Sequence, residues 1–313
     1  VWDQLRTYQV PAGILREGIN VISIWVEDTG GGGGVNDDPE QFYLQLADKR
    51  INLAGEARFR LLVPTENIAP GVNLAALQNQ PAVLFNAMIS PLLLYSIKGV
   101  IWYQGEANVT AYEEYRQLFP ALISNWRQRW NNPAMPFFFV QLSSFNPSGI
   151  EPKESNWAAL REAQTYALKL PHTGMAVSTD VGDRKDIHPK RKKEVGNRLA
   201  ANALFMEYGY TKVEYIGPVF RSATKEANGI RIKYDHVGTG LTYKGEQLKG
   251  FVIAGNDNKF VPAEAVIRNG EVFVSSALVT SPVHVRYAWA NAPLEANLYN
   301  AEGFPAVPFR TDQ

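Results

Sequence analysis

Two short polar segments of this sequence hold the side chains best suited to acid–base and oxyanion chemistry. One is Asp180-Val181-Gly182-Asp183-Arg184-Lys185-Asp186-Ile187-His188-Pro189, the other Gln104-Gly105-Glu106-Ala107-Asn108. An imidazole titrates near neutrality, so His188 can take and return a proton, and Asp186, two residues before it, is the nearest carboxylate to orient it. Asp183 and Asp180 are its rivals. A loop His beside an Asp also fits a capping or surface pair, just as Gln104 alone fits a turn cap and Glu106 an ion pair with an arginine. Neither segment is specific by itself.

Other chemistries are thinly supplied. The absence of Cys removes disulfides, thiolate ligands and Cys nucleophiles together. His172, His188, His236 and His284 fall in three separate regions without a close pair, so neither a metal nor any other cofactor is expected. The five glycines at 30–34 lack a following Lys-Ser/Thr pair or helix start and read as a flexible connection, not a phosphate cradle. Thirty-one basic residues balance thirty-one acidic ones, which argues against a nucleic-acid partner. The one basic run, Lys190-Arg191-Lys192-Lys193, reads as a solvated face at a helix start. No membrane span is expected either, because the most apolar stretch, 82–97, is interrupted by Asn86, Ser90 and Pro91.

The elements that must position these residues follow from periodicity. Residues 1–63 read as strands and turns: Asn20-Val21-Ile22-Ser23-Ile24-Trp25-Val26 alternates, Tyr43-Leu44-Gln45-Leu46 follows, and 57–63 closes the segment. From 64 to 218 strands and helices alternate, which predicts a parallel, doubly wound sheet. Residues 82–97 read as an apolar helix and 98–103 as a buried strand. Thr110 and Glu113 form a capping box before a helix that Pro120 should kink, and Phe137-Phe138-Phe139-Val140-Gln141-Leu142 is a strand. A helix is expected over 156–168, a strand over 175–179, and a last helix from Pro189 to Gly209. Residues 219–313 return to short strands and turns, among them Asn269-Gly270, and read as a C-terminal β-sandwich. Both polar segments then lie after parallel strands, where ligand sites form in open α/β sheets.

Read together, the segments resemble a known family. Gly99-Val100-Ile101-Trp102-Tyr103-Gln104-Gly105-Glu106-Ala107-Asn108 is similar to the W-x-Q-G-E block of the sialate O-acetylesterases, carbohydrate esterases of the SGNH serine-hydrolase type. Leu84-Phe85-Asn86-Ala87-Met88-Ile89 resembles a preceding block and Asp186-Ile187-His188-Pro189 the histidine block. Leu160-Arg161-Glu162-Ala163-Gln164 and Thr173-Gly174-Met175-Ala176-Val177 lie between them in the family's order. The resemblance implies an SGNH-like sheet, incomplete at its N-terminus, over 64–218. It places a partial β-galactosidase-like jelly roll before that sheet and a C-terminal β-sandwich after it. It further implies acyl transfer on an acetylated carbohydrate, with His188 as base, Asp186 as its orienter and Gln104 as an oxyanion donor. Glu106, Asn108, Asn86 and Asp183 are left as binding or loop-supporting residues. A periplasmic or secreted location is implied as well.

Two departures from the family pattern shape the expectation. The position three before His188, where many SGNH enzymes carry the acid, is Lys185. The nucleophile block, Gly-Gln-Ser-Asn, is not found, and Ser143 and Ser144 lead into Phe145-Asn146-Pro147 as loop residues. The expectation is therefore an esterase whose serine lies on a missing N-terminal segment, upstream of Val1, with little activity in these 313 residues alone. The alternatives are a noncatalytic carbohydrate-binding or scaffolding remnant of the same fold, or an acetylxylan esterase.

Overall fold

Phe137-Phe138-Phe139-Val140 is apolar at every position because both of its faces are covered. The computed structural model describes residues 6–24, 39–55, 77, 80–150 and 154–312, and the chain divides into two units, Val1–Leu92 and Leu93–Gln313. In the second unit β3 (Val100–Trp102), β4 (Phe137–Val140) and β5 (Thr173–Ala176) form a parallel sheet in that order. Helix α1 (Tyr112–Arg129) connects β3 to β4, and α2 (Asn156–Thr165) connects β4 to β5. Tyr115, Phe119 and Ile123 of α1 and Trp157, Leu160 and Ala163 of α2 pack with Phe137, Phe139 and Met175 on one face. On the other, Val195 and Leu199 of α3 (Lys192–Glu207) pack against Val140. Helices on both faces make the mixed α/β layer that strand–helix alternation predicts.

Several boundaries differ from expectation for local reasons. Residues 82–97 are not one regular helix: a π-helical turn at Phe85–Ile89 passes into a 3-10 turn at Ser90–Leu92, where Pro91 interrupts the backbone hydrogen-bond pattern. The strand at 98–103 shrinks to β3, an edge of the described sheet, so Ile101 is 71% exposed. Thr110 caps nothing, because the 3-10 helix Glu106–Ala111 runs straight into α1 and leaves no chain end there to cap. Helix α1 continues through Pro120. Helix α2 begins at a cap that sequence reading passed over, Ser155, whose side chain accepts from the amide of Ala158 at 3.0 Å.

C-terminal to α3 the chain builds two four-stranded antiparallel sheets. One joins β6 (Val219–Glu226), β7 (Gly229–Asp235), β12 (Glu271–Ser275) and β11 (Glu264–Arg268); the other joins β15 (Phe309–Arg310), β13 (His284–Tyr287), β9 (Phe251–Ala254) and β10 (Val261–Pro262). Ile230, Ile232, Val272 and Val274 from the first share a core with Phe251, Ile253, Val285 and Tyr287 from the second. The Asn269-Gly270 turn sits between β11 and β12, paired from Arg268 with Glu271. Strand β6 carries no strong strand signal because none of its positions is fully buried and Arg221, Ser222, Thr224, Lys225 and Glu226 leave no strong apolar alternation. A further pair, β8 (Leu241–Tyr243) with β14 (Leu298–Asn300), completes the region.

The first unit contains one short hairpin among its described residues, β1 (Tyr43–Gln45) with β2 (Arg50–Asn52). Residues 20–24 form no strand: among the described residues none pairs with them, and Val21 and Ile24 stay exposed, while 25 and 26 of the expected strand lie outside the described residues. The expected strand at 57–63 and the boundary near 64 lie outside the described residues.

Candidate active site

At the carboxyl end of β3 the chain leaves the sheet through Tyr103-Gln104 and turns at Gly105. A φ of 151° suits glycine, and a Cβ there would stand 3.1 Å from Nε2 of Gln164, so the loop lies directly on α2. Gln104 is held at several atoms. Its backbone oxygen accepts from Gln164 Nε2 at 3.2 Å, its side-chain Oε1 accepts from the Tyr115 hydroxyl at 3.2 Å, and its Nε2 donates to Asn108 Oδ1 at 2.6 Å. An amide nitrogen carries two hydrogens, and among the described residues Asn108 takes one of them. Tyr115 is 4% exposed; burial, reinforced by the charge of Glu106, pushes its hydroxyl up to about 12, and the phenol stays a donor at neutral pH.

The second polar segment leaves β5 and ends at α3. Its three aspartates are engaged differently. Asp180 receives two 2.7 Å bonds from Arg198 and one of 3.2 Å from the Tyr299 hydroxyl, and its side chain is 8% exposed. Asp183 Oδ1 accepts from the amides of Lys185 and Asp186, which hold its carboxyl below the usual range. Asp186 Oδ1 accepts from the amide of His188 at 2.8 Å and stands 3.8 Å from His188 Nδ1. That separation allows an ion pair with a protonated ring and is too long for a hydrogen bond. The imidazole itself is 89% exposed.

A chain of hydroxyls connects the loops beyond the three parallel strands. Tyr103 Oη lies 3.1 Å from Ser143 Oγ, which lies 2.7 Å from Ser178 Oγ, and Ser178 donates to the carbonyl of Gln141 at 2.6 Å. Ser144 donates to the carbonyl of Thr179 at 2.6 Å, and Gly182 is pressed so closely on Ser144 that a Cβ would meet its amide nitrogen at 2.3 Å. Ser143 and Ser144 are buried and tie the loop after β4 to Ser178 and the Thr179 carbonyl. Lys192 Nζ lies 4.4 Å from the centre of the Tyr103 ring, so the segment bearing His188 and the segment bearing Gln104 meet there.

Helix α2 is an organiser that sequence reading noted only as a motif. Gln164 accepts from the amide of Leu142 at 2.8 Å while supporting Gln104. Arg161, fully buried, donates to the carbonyls of Leu142, Ser143, Ala290 and Asn291. A buried guanidinium is tolerated when its hydrogens are satisfied, and here they fix the loop after β4. The available signal was Arg and Gln among the apolar positions of an otherwise buried helix. Of the remaining candidates, Glu106 and Asn108 belong to the Gln104 turn, whereas Asn86 lies exposed in the other unit, on the π-helical turn. Among the described residues no group of three or more His, Asp or Glu could hold a metal ion, and no helix is long and apolar enough to cross a membrane.

Comparison with known proteins converges on these segments. Residues 69–205 match the family model described as carbohydrate esterase, sialic acid-specific acetylesterase. The sialate O-acetylesterase of Rattus norvegicus is 32% identical over 279 residues, which cover 80% of this chain and 49% of that protein. The sialate O-acetylesterase of Homo sapiens is 30% identical over 254 residues, covering 73% and 48%. The chain thus spans about half the length of these relatives. The crystal structure of a carbohydrate acetylesterase from Xanthomonas citri superposes with a TM-score of 0.72 at 43% identity, covering 75% of this chain and 55% of that one.

Proposed function

Through residues 69–205 this chain belongs to the carbohydrate esterases of the sialic acid-specific acetylesterase family, and from that premise we propose that the whole protein removes O-acetyl groups from sialic acid or a related acetylated glycan. Within this reading a serine attacks the ester carbonyl, His188 takes its proton and returns it to the leaving sugar, and Gln104 donates to the oxyanion. Asp186 orients the imidazole. We read the nucleophilic serine as supplied by a segment other than these 313 residues, which on that reading hydrolyse little or no p-nitrophenyl acetate alone. The unit before the esterase segment is read as part of a jelly roll, the paired sheets after it as a β-sandwich, and the protein as periplasmic or secreted.

One observation carries the reading: among the described residues Gln104 Nε2 uses one of its two hydrogens, on Asn108, while Tyr115 fixes the other end of the amide, on the same loop surface that Lys192 joins to the start of α3. Acetate release from an O-acetylated sialic acid by the full-length protein tests it, with His188→Ala and Gln104→Ala alongside. Unaltered turnover in both variants would sink the assignment of this site. Turnover by the 313-residue chain that vanishes on changing Ser143 or Ser144 would sink the external nucleophile.

A further inference from the structure

The basic run at the start of α3 reads from sequence as a solvated face, yet one of its members is not merely solvated. Lys192 is the first residue of α3, four after His188, and its ammonium lies 4.4 Å from the centre of the Tyr103 ring, next to Gln104. The ring is a fixed platform: its hydroxyl is tied through Ser143 and Ser178 to the carbonyl of Gln141, while 36% of the residue remains exposed. The carboxylates that flank Lys192 in sequence are engaged. Glu194 takes two bonds from Arg191, at 2.9 and 2.7 Å, and Asp183 and Asp186 turn to backbone amides. From 183 to 194 the sequence carries six cations against three carboxylates.

We infer that Lys192 and Tyr103 form the subsite that reads the carboxylate of an acidic sugar, the ring packing against the sugar and the ammonium pairing with its carboxylate. The inference rests on the acetylesterase reading and deepens it by choosing between acidic and neutral glycans. On the acetylesterase reading the ester carbonyl meets Gln104, the residue next to Tyr103, so the sugar that carries it lies beside Tyr103 and Lys192. Aromatic faces pack on apolar patches and attract cations, and an ammonium beside such a face makes a charge-assisted bond to a carboxylate. A neutral xylan-type ligand has nothing for that ammonium to pair with.

Titration of the full-length protein with N-acetylneuraminic acid, and with its uncharged methyl ester, tests this without requiring turnover. Lys192→Met should raise the Kd of the acid roughly tenfold, as loss of a charge-assisted bond does, and raise that of the ester much less. Lys192→Arg should retain most of the acid affinity, and Lys193→Met should change it less than about twofold, because a general positive field is weak and screened at this distance. Raised salt should weaken acid binding in the unaltered protein and have less effect in Lys192→Met. Equal losses for acid and ester, equal effects of Lys192→Met and Lys193→Met, or no binding of the acid would each overturn the inference. Intact acid binding without hydrolysis of any O-acetylated sugar would overturn the esterase reading and leave this subsite standing.

Discussion

The two loops of the candidate site are built to different standards. The Gln104 loop is finished: both ends of the amide are bonded, the backbone carbonyl is bonded, and Tyr115 beneath it is nearly inaccessible. The His188 loop is anchored at its start by the Asp180 side chain, but nearer the imidazole Asp183 and Asp186 bond to backbone amides and leave the ring 89% exposed, 3.8 Å from its carboxylate. The contrast fits the roles proposed for the two residues. An oxyanion donor helps only if it is aimed before charge develops, since reorganising it during reaction would cost what it supplies. A general base takes its final geometry from the hydroxyl it deprotonates, and apo sites commonly show such bonds long.

The largest expected effect breaks the open side of that comparison. His188→Ala in the full-length protein should lower kcat by about a thousandfold or more, because proton removal from the nucleophile and delivery to the leaving group both use the one ring. Steady-state kinetics on an O-acetylated sialic acid check it, and a loss under tenfold would mean that another residue is the base. On the finished side, Gln104→Ala should lower kcat about a hundredfold, roughly 2.7 kcal/mol of transition-state stabilisation, with little change in KM. Backbone donors elsewhere in the site would retain the rest. A change in KM alone would make Gln104 a sugar contact.

This asymmetry explains what could be read from sequence. The α/β layer was legible because Phe137-Phe138-Phe139-Val140 and the helical spacing of Tyr115, Phe119 and Ile123 each encode burial directly. The placement of the Gln104 and His188 segments was legible because both follow strands of the parallel sheet. The support beneath Gln104 was not, since Tyr115 reads simply as one more apolar position of α1, and only tertiary packing brings its hydroxyl to the amide. The same applies to Arg161 and Gln164, whose partners lie on loops distant in sequence. Residues 20–24 differ in the opposite direction: alternation marks what a strand could bury, and among the described residues no strand pairs with them.

Asp186 gives a smaller and sharper test of the open loop. Asp186→Asn keeps the shape and an oxygen able to accept the His188 amide, but removes the charge facing the ring. At 3.8 Å and with 42% of the carboxylate side chain exposed, solvent screens the pair, and the expected loss in kcat is about tenfold. A loss near ten thousandfold would mean that the ring closes onto Asp186 during catalysis, and a neutral result would pass the role to Asp183 or leave a dyad. Asp180→Asn belongs to a different class. Its buried bonds to Arg198 and Tyr299 make a loss of several kcal/mol in folding stability the expected result, read as a lowered Tm.

The smallest effect sharpens the finished side and concerns Tyr115→Phe, which removes one hydroxyl and almost no volume. Without that donor Oε1 of Gln104 loses the bond that tells it from Nε2, and the amide can rotate its nitrogen away from the reacting carbonyl. The expected cost is about three- to tenfold in kcat with KM unmoved, a net hydrogen bond's worth near 1 kcal/mol. The decisive measurement is the same change made in Gln104→Ala. If Tyr115 acts through the amide, its removal costs almost nothing there, whereas a residue that merely packs the loop would cost the same in both backgrounds. Stability carries an independent signature. Because burial raises the Tyr115 hydroxyl from 10.0 to about 12, the folded state holds its proton while the unfolded state releases one, so stability falls as pH rises through that window. Below about pH 10 both states are protonated and the contribution is constant. Tyr115→Phe should therefore flatten part of the alkaline loss, measured as the slope of unfolding free energy against pH between 10 and 12, and an unchanged slope would mean that the phenol is not buried as described.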